Sequence, residues 1–137
     1  MLSDLVDIGA NLSHDSFRHD LREVLERARE AGVAQMVVTG ASENESRAAH
    51  DIACMHPGVL YATAGMHPHL AREWTDKSAE LIRELARSPN VVAIGEAGLD
   101  FNRDFSPRPI QERVFAAQLE IAADLGMAVF MHERDAH

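Results

Sequence analysis

The chain has 137 residues, 46% hydrophobic and 26% charged, with a single cysteine. This length suits one domain and the apolar content argues against disorder, while one thiol excludes a disulfide framework and any cysteine-based zinc or iron–sulfur site. With 13 basic and 22 acidic side chains the net charge is −9, which leaves no broad basic face for duplex DNA; a phosphate-rich ligand would need local positive charge, such as a divalent metal.

Leu5-Val6-Asp7-Ile8 is the first strand expected. Phe17, Leu21, Val24, Leu25 and Ala28 then follow helical spacing, with Asp15 or Ser16 as the expected cap and Gly32 as the stop. The second strand is Gln35–Thr39. Ser42 and Glu45 stand in capping-box spacing before a helix carrying Ala48, Ala49, Ile52 and Ala53. The third strand is Val59–Thr63, and a third helix marked by Leu81, Ile82, Leu85 and Ala86 must end near Ser88, because Pro89 follows. The fourth strand is Val91–Ile94. Ser106-Pro107 opens a fourth helix with Ile110, Val114, Gln118, Ile121 and Leu125 on one face, closed by Gly126. Met127–Met131 is the fifth strand. No apolar run approaches the ~20 residues of a membrane-spanning helix, so no membrane partner is expected. The start, Met1–Asp4, shows no basic flank or cleavage signal, and the expected location is cytoplasmic.

Four βα units and a closing strand fit two architectures. One is an open doubly wound sheet, which would make the chain a non-catalytic α/β binding module of the receiver-domain kind. That module needs an acidic cluster after the first strand and a lysine after the fifth. Asp7 is the only acid near the first strand, and the sole lysine is Lys77, on the third helix. The other architecture is the first part of a (β/α)8 barrel, a fold of about 250 residues.

Polar residues gather where strands end, which is the active edge in either architecture. They are Gly9-Ala10-Asn11, Thr39-Gly40, Gly65 to His69, Gly95 to Asp100 and His132 to Asp135. Pro68 biases His67 toward extended backbone, so His67 and His69 could share one face and grip a metal or a phosphate; two solvated histidines are the plain alternative. Glu96, at the mouth of a buried strand, suits a metal ligand, a general base or an ion pair with Arg103 or Arg134. His132 follows the adjacent strand and could share an ion with Glu96. His14, His19, His50 and His56 are expected in solvent, Cys54 as an inert buried thiol, and Trp74 packed ahead of the third helix rather than stacking in a groove.

The segments Asp7-Ile8-Gly9-Ala10-Asn11-Leu12, Ala64 to His69, Ala93 to Phe101 and Val129 to His137 resemble the TatD family of metal-dependent deoxyribonucleases, in that family's order and along the whole chain. The resemblance implies an α/β fold: residues 1–137 as a partial barrel domain, the N-terminal half (about five strands and four helices) of a (β/α)8 TIM-type barrel. It implies 3′–5′ exonucleolytic phosphodiester hydrolysis of single-stranded or damaged DNA, with RNA a further candidate substrate. Glu96 matches a metal-bridging glutamate and His132 a metal ligand, with Mg2+ the expected ion and Zn2+ or Mn2+ alternatives. His67 and His69 match histidines beside the metals and the scissile phosphate. Asn11 falls in the first-strand motif and is a candidate substrate contact, and Arg103 and Arg134 are placed by position to supply positive field. Ala97 and Glu133 depart from the pattern at positions that can hold cysteine. The family's chain is about twice as long, and its other half carries a further ligating histidine and an aspartate. A half-barrel exposes the edges of its first and fifth strands and the side chains of Val6, Ile8, Val37 and Val92, so self-association or pairing with the C-terminal half is expected.

Overall fold

A computed structural model describes residues 4–137. The strands are β1 (Leu5–Ala10), β2 (Val33–Val38), β3 (Leu60–Ala64), β4 (Val91–Asp100) and β5 (Ala128–Arg134); the helices are α1 (Leu21–Glu30), α2 (Glu43–Met55), α3 (Asp76–Leu85) and α4 (Arg108–Leu125). All neighbouring strands pair in parallel, and the sheet order β1-β2-β3-β4-β5 is the order of the sequence. A doubly wound sheet reverses its strand order at a switch point. Monotonic order is the winding of a barrel wall, so the chain is half of a (β/α)8 barrel, with five strands and four helices.

Local chemistry sets most boundaries. Ser42 caps α2 as expected, its Oγ accepting the Glu45 N–H at 3.1 Å. The stripe beginning at Phe17 is interrupted: Asp15–Phe17 form a separate 3-10 turn, and α1 starts only after Asp20. His14 Nδ1 accepts the Ser16 N–H at 3.2 Å, closing that turn locally at the expense of the helix. Asp15 and Ser16 therefore lie inside the turn and cap nothing. α4 begins after Pro107 and closes at Gly126, as expected. Ser106 is buried, its hydroxyl accepting the Arg72 N–H and donating to the His69 carbonyl.

The largest departure is β4, which runs six residues beyond Ile94 to Asp100. Gly95 and Gly98 have φ of +136° and +149°, where a Cβ would collide with the carbonyl oxygens of Phe130 and His132 on β5. The pairing with β5 shifts register between Ile94 and Ala97 and then resumes, placing Gly98 opposite His132 and Asp100 opposite Arg134. The glycines bulge the strand without ending it. Glu96 and Asp100 thus stand on a sheet, not in a loop.

The core fills the space between sheet and helices, with Val38, Leu60, Ala62, Ala64, Ile82, Ile94 and Ile121 at its centre. Strand side chains that no helix covers remain open: Val6, Ile8, Val92 and Met131 are 51%, 64%, 41% and 63% exposed. In a closed barrel such side chains pack in interior layers. Cys54 is exposed rather than buried, within 3.4 Å of His50 Nε2. Successive helical side chains diverge by about 100°, so burying Ala53 turns its neighbour outward.

Candidate metal centre

Three strands deliver the centre. His67 follows β3, Glu96 lies on β4 and His132 on β5. Glu96 Oε1 is 3.4 Å from His132 Nδ1 and 3.8 Å from His67 Nε2. One donor atom from each of the three falls within 4.8 Å of the others. All three side chains are partly buried, which leaves a path from solvent.

His67 and His69 do not share a strand face. His67 is extended, as the following proline dictates, but Pro68–Glu73 is a 3-10 helix that contains His69. His67 caps that helix, its Nδ1 accepting the His69 N–H at 3.1 Å. The rings still meet, edge to face, with centroids 4.2 Å apart. Their nitrogens point to different partners: His67 Nε2 toward Glu96, His69 Nε2 to Asp100 at 2.9 Å.

Asp100 was not among the residues singled out from sequence. It is 1% exposed and holds the histidines in place. Its Oδ2 accepts from His69 Nε2 and from His132 Nε2 at 3.0 Å, while Oδ1 accepts the backbone N–H groups of Asn102 and Arg103 at 3.1 and 3.0 Å. With its Nε2–H donated to Asp100, His132 turns the Nδ1 lone pair toward Glu96, the arrangement in which a carboxylate orients a metal-ligating imidazole. The local signal was an aspartate closing a strand before a turn; its burial was not readable from sequence.

Two buried glutamines of α4, seven residues apart on one helix face, brace this layer. Gln111 accepts the Asp100 N–H and donates to the Asp100 carbonyl, at 2.8 and 3.1 Å. Gln118 does the same for Met66, at 2.8 and 3.0 Å. Each side-chain amide acts as a missing strand neighbour would, satisfying both backbone groups of one residue. α4 thereby ties the end of β4 to the residue just before His67.

Electrostatics follow from burial. Burial lowers His67 to about 4, with the neighbouring His69 and His132 rings adding to the effect. Burial raises Glu96 above the usual carboxylate value, against the pull of His132 and His69. Burial would also raise Asp100, but the Arg103 N–H, the two imidazoles and the Asn102 N–H together hold it well below the ordinary range. The unfolded chain protonates His67 near 6.5 and the folded protein only near 4, so between those values the unfolded state binds more protons and stability falls as pH falls. In metal-free protein this loss reaches roughly 1.4 kcal/mol per pH unit, while Glu96 works in the opposite sense just above 4.5. We expect His67→Asn to flatten the dependence of melting temperature on pH between 6.5 and 4; parallel curves for the two proteins would refute this account of His67.

The other site candidates lie outside the cluster. Asn11 is exposed just after β1, its carbonyl accepting the His14 N–H at 3.2 Å. Arg134 ends β5, its carbonyl accepting the Phe101 N–H at 2.9 Å. The Arg103 backbone bonds to Asp100, and its guanidinium stands 5.9 Å from the Phe105 ring. Among the described residues no arginine forms an ion pair with Glu96; its ionisable neighbours within 4 Å are the two histidines. Trp74 packs against the core.

Comparison with known proteins agrees with this geometry. The profile of the family described as TatD related DNase matches residues 6–137. A 3′-5′ ssDNA/RNA exonuclease TatD of Musicola paradisiaca is 56% identical over 97% of this chain and 50% of its own length. Its namesake in Erwinia tasmaniensis is 50% identical over 97% of this chain and 51% of its own length. Among solved structures, the TatD homolog YJJV of Escherichia coli superposes with a TM-score of 0.87 at 28% identity, covering 97% of this chain and 52% of the other. A TatD family hydrolase of Entamoeba histolytica gives 0.88 at 27% identity, covering 99% and 52%. The chain thus spans about half the length of the relatives it matches. On sequence, strand order and the His–Glu–His convergence together, the chain belongs to the TatD-related DNase family.

Proposed function

We propose that residues 1–137 form the partial barrel domain of a divalent-metal-dependent 3′–5′ exonuclease acting on single-stranded DNA or RNA in the cytoplasm. The observation that carries this reading is the convergence of His67, Glu96 and His132 at the carboxyl edge of the sheet. A carboxylate oxygen of Glu96 and an imidazole nitrogen of His132 form a donor pair that fits a divalent ion, Mn2+ and Zn2+ by the imidazole and Mg2+ by the carboxylate.

Glu96 and His132 are the metal ligands in this proposal. Bound there, a divalent ion supplies Lewis acidity toward a phosphoryl oxygen and a water of lowered pKa. Glu96, the one carboxylate of the cluster, is a catalytic residue in this proposal as well as a ligand. His67 has the opposite task. Its Nδ1 accepts the His69 N–H, so the neutral ring carries its proton on Nε2, facing the centre. That N–H donates to a phosphate oxygen or to the leaving oxygen. His69, its Nε2 committed to Asp100, orients the assembly without touching phosphate through that atom. Arg103 and Arg134 add positive field on a chain of net charge −9, and Asn11 contacts substrate from the β1 loop.

The test is digestion of a 5′-labelled single-stranded oligonucleotide after chelation and add-back of Mg2+, Mn2+ or Zn2+. The chain alone is expected to be weakly active or inactive, so shortening from the 3′ end, however slow, that returns only with metal supports the reading; metal-independent cutting counts against it. Arg103→Ala is expected to slow the reaction by about tenfold, and an unchanged rate would remove that arginine from the mechanism.

Two protein ligands leave most positions of a divalent ion open, so this chain alone should bind metal weakly. The unpaired edges of β1 and β5 and the open apolar face favour pairing with the complementary half of the barrel or with a second copy. Sedimentation velocity on the 137-residue chain is expected to show a concentration-dependent mass. A single monomeric boundary at every concentration would contradict self-association.

A further inference from the structure

His67 and His69 also line a cleft of about 390 Å3, together with Ala41, Leu70, Arg72 and Phe105. That volume lies within the range of about 300–1,000 Å3 typical of small-molecule sites. Phe105, on the connection between β4 and α4, is 52% exposed and is no part of the hydrophobic core. An apolar ring left in water beside polar groups calls for an occupant.

The ring is held, not dangling. Its neighbour Ser106 is fully buried and bonded to the Arg72 N–H and the His69 carbonyl, so the backbone at Phe105 is pinned to the 3-10 helix carrying His69. The ring meets the His69 ring edge to face at 4.9 Å. His69 in turn is fixed by Asp100, which also fixes His132. A continuous chain of contacts therefore sets the position of Phe105 relative to the candidate metal centre. Arg72 lines the same cleft, and the Arg103 guanidinium lies 5.9 Å from the Phe105 ring. One guanidinium therefore stands over the exposed ring and a second arginine lines the cleft, on a protein of net charge −9.

An exposed aromatic ring with an arginine over it and another in its cleft, beside a centre suited to phosphate, matches an unpaired nucleobase: the base stacks on the ring and the flanking phosphates meet the guanidiniums. We propose that Phe105 is the stacking platform for the unpaired base of the nucleotide whose phosphate lies at the His67–Glu96–His132 centre. The inference rests on the nuclease reading above and deepens it. A base within a duplex has both faces occupied by its neighbours, so this platform selects single strands. Stacking needs no sugar contact, so deoxyribose and ribose strands are both accepted at this point.

The test uses the full 137-residue chain in EDTA, where nothing is cut, and short single-stranded oligonucleotides carrying 2-aminopurine at the 3′ end, in deoxy and ribo series. Stacking quenches the probe. The wild-type chain should bind and quench it, Phe105→Ala should bind about tenfold more weakly with quenching lost, and Phe105→Tyr should stay within about twofold of wild type. A strand lacking the 3′ base should bind wild type and Phe105→Ala equally. If Phe105→Ala binds and quenches like wild type, or Phe105→Tyr is as weak as Phe105→Ala, the platform is refuted and the nuclease reading stands. If the wild-type chain binds neither series, the platform falls, and the nuclease reading is judged by the metal add-back digestion alone. Tight binding in one sugar series alone would refute the sugar-independence argued here.

Discussion

Glu96→Gln is expected to weaken divalent-metal binding by more than about 100-fold and to abolish hydrolysis. Loss of a supporting residue alone typically reduces metal affinity 10–100-fold, and Glu96 is the carboxylate donor of the cluster. The substitution keeps shape and volume but removes the negative charge. Burial already disfavours that charge and raises the carboxyl above its ordinary value, so in EDTA the variant should melt no lower than wild type. The two readouts separate a chemical role from a structural one. Calorimetric titration measures the first and thermal denaturation the second. Retained cutting by Glu96→Gln would place the activity elsewhere, in another site or in a contaminant.

The second large effect is structural. Asp100→Asn should destabilise the protein by about 3 kcal/mol or more, because the buried carboxylate accepts four hydrogen bonds and each oxygen takes two donors. An asparagine offers one oxygen, and its amide group must then face either two backbone N–H groups or two imidazole N–H groups. A fall in melting temperature of about 10 °C follows for a domain of this size. Metal affinity should also drop by about 10–100-fold, since His132 loses the partner that aims its Nδ1. The stability given by this carboxylate is complete above the ordinary aspartate range and is lost only as pH falls through its depressed folded value. A variant melting within two or three degrees of wild type would show that the network tolerates the loss and that Asp100 does not hold the histidines.

These effects centre on a residue that sequence reasoning passed over. Glu96 and His132 were readable because each follows an apolar strand run, and strand ends are where barrels place their chemistry. Asp100 lies six residues beyond Ile94, past two glycines that signal a loop. The strand continues through them because backbone crowding from β5 admits only glycine there. The same blind spot affects Gln111 and Gln118, which on a helical wheel are polar interruptions of an apolar face. Their value lies in backbone groups of β4 and of the loop after β3, elements remote in sequence. The aromatic beside the histidines is Phe105, whereas Trp74, the one considered for a groove, sits against the core.

Much was nonetheless legible in the residues alone. Helical and strand periodicities, Ser42, Pro107 and Gly126 set the element order and most boundaries, because these are short-range effects of φ preference, capping and apolar spacing. Two architectures survived that reasoning, since periodicity does not say which strand lies beside which. The strand order in space decided between them. What only the tertiary structure decided is where each nitrogen and oxygen points: His69 toward Asp100 and His67 toward Glu96, despite their spacing. Local propensity acts within a few residues, whereas the orientation of an imidazole is fixed by hydrogen bonds to groups more than thirty positions away.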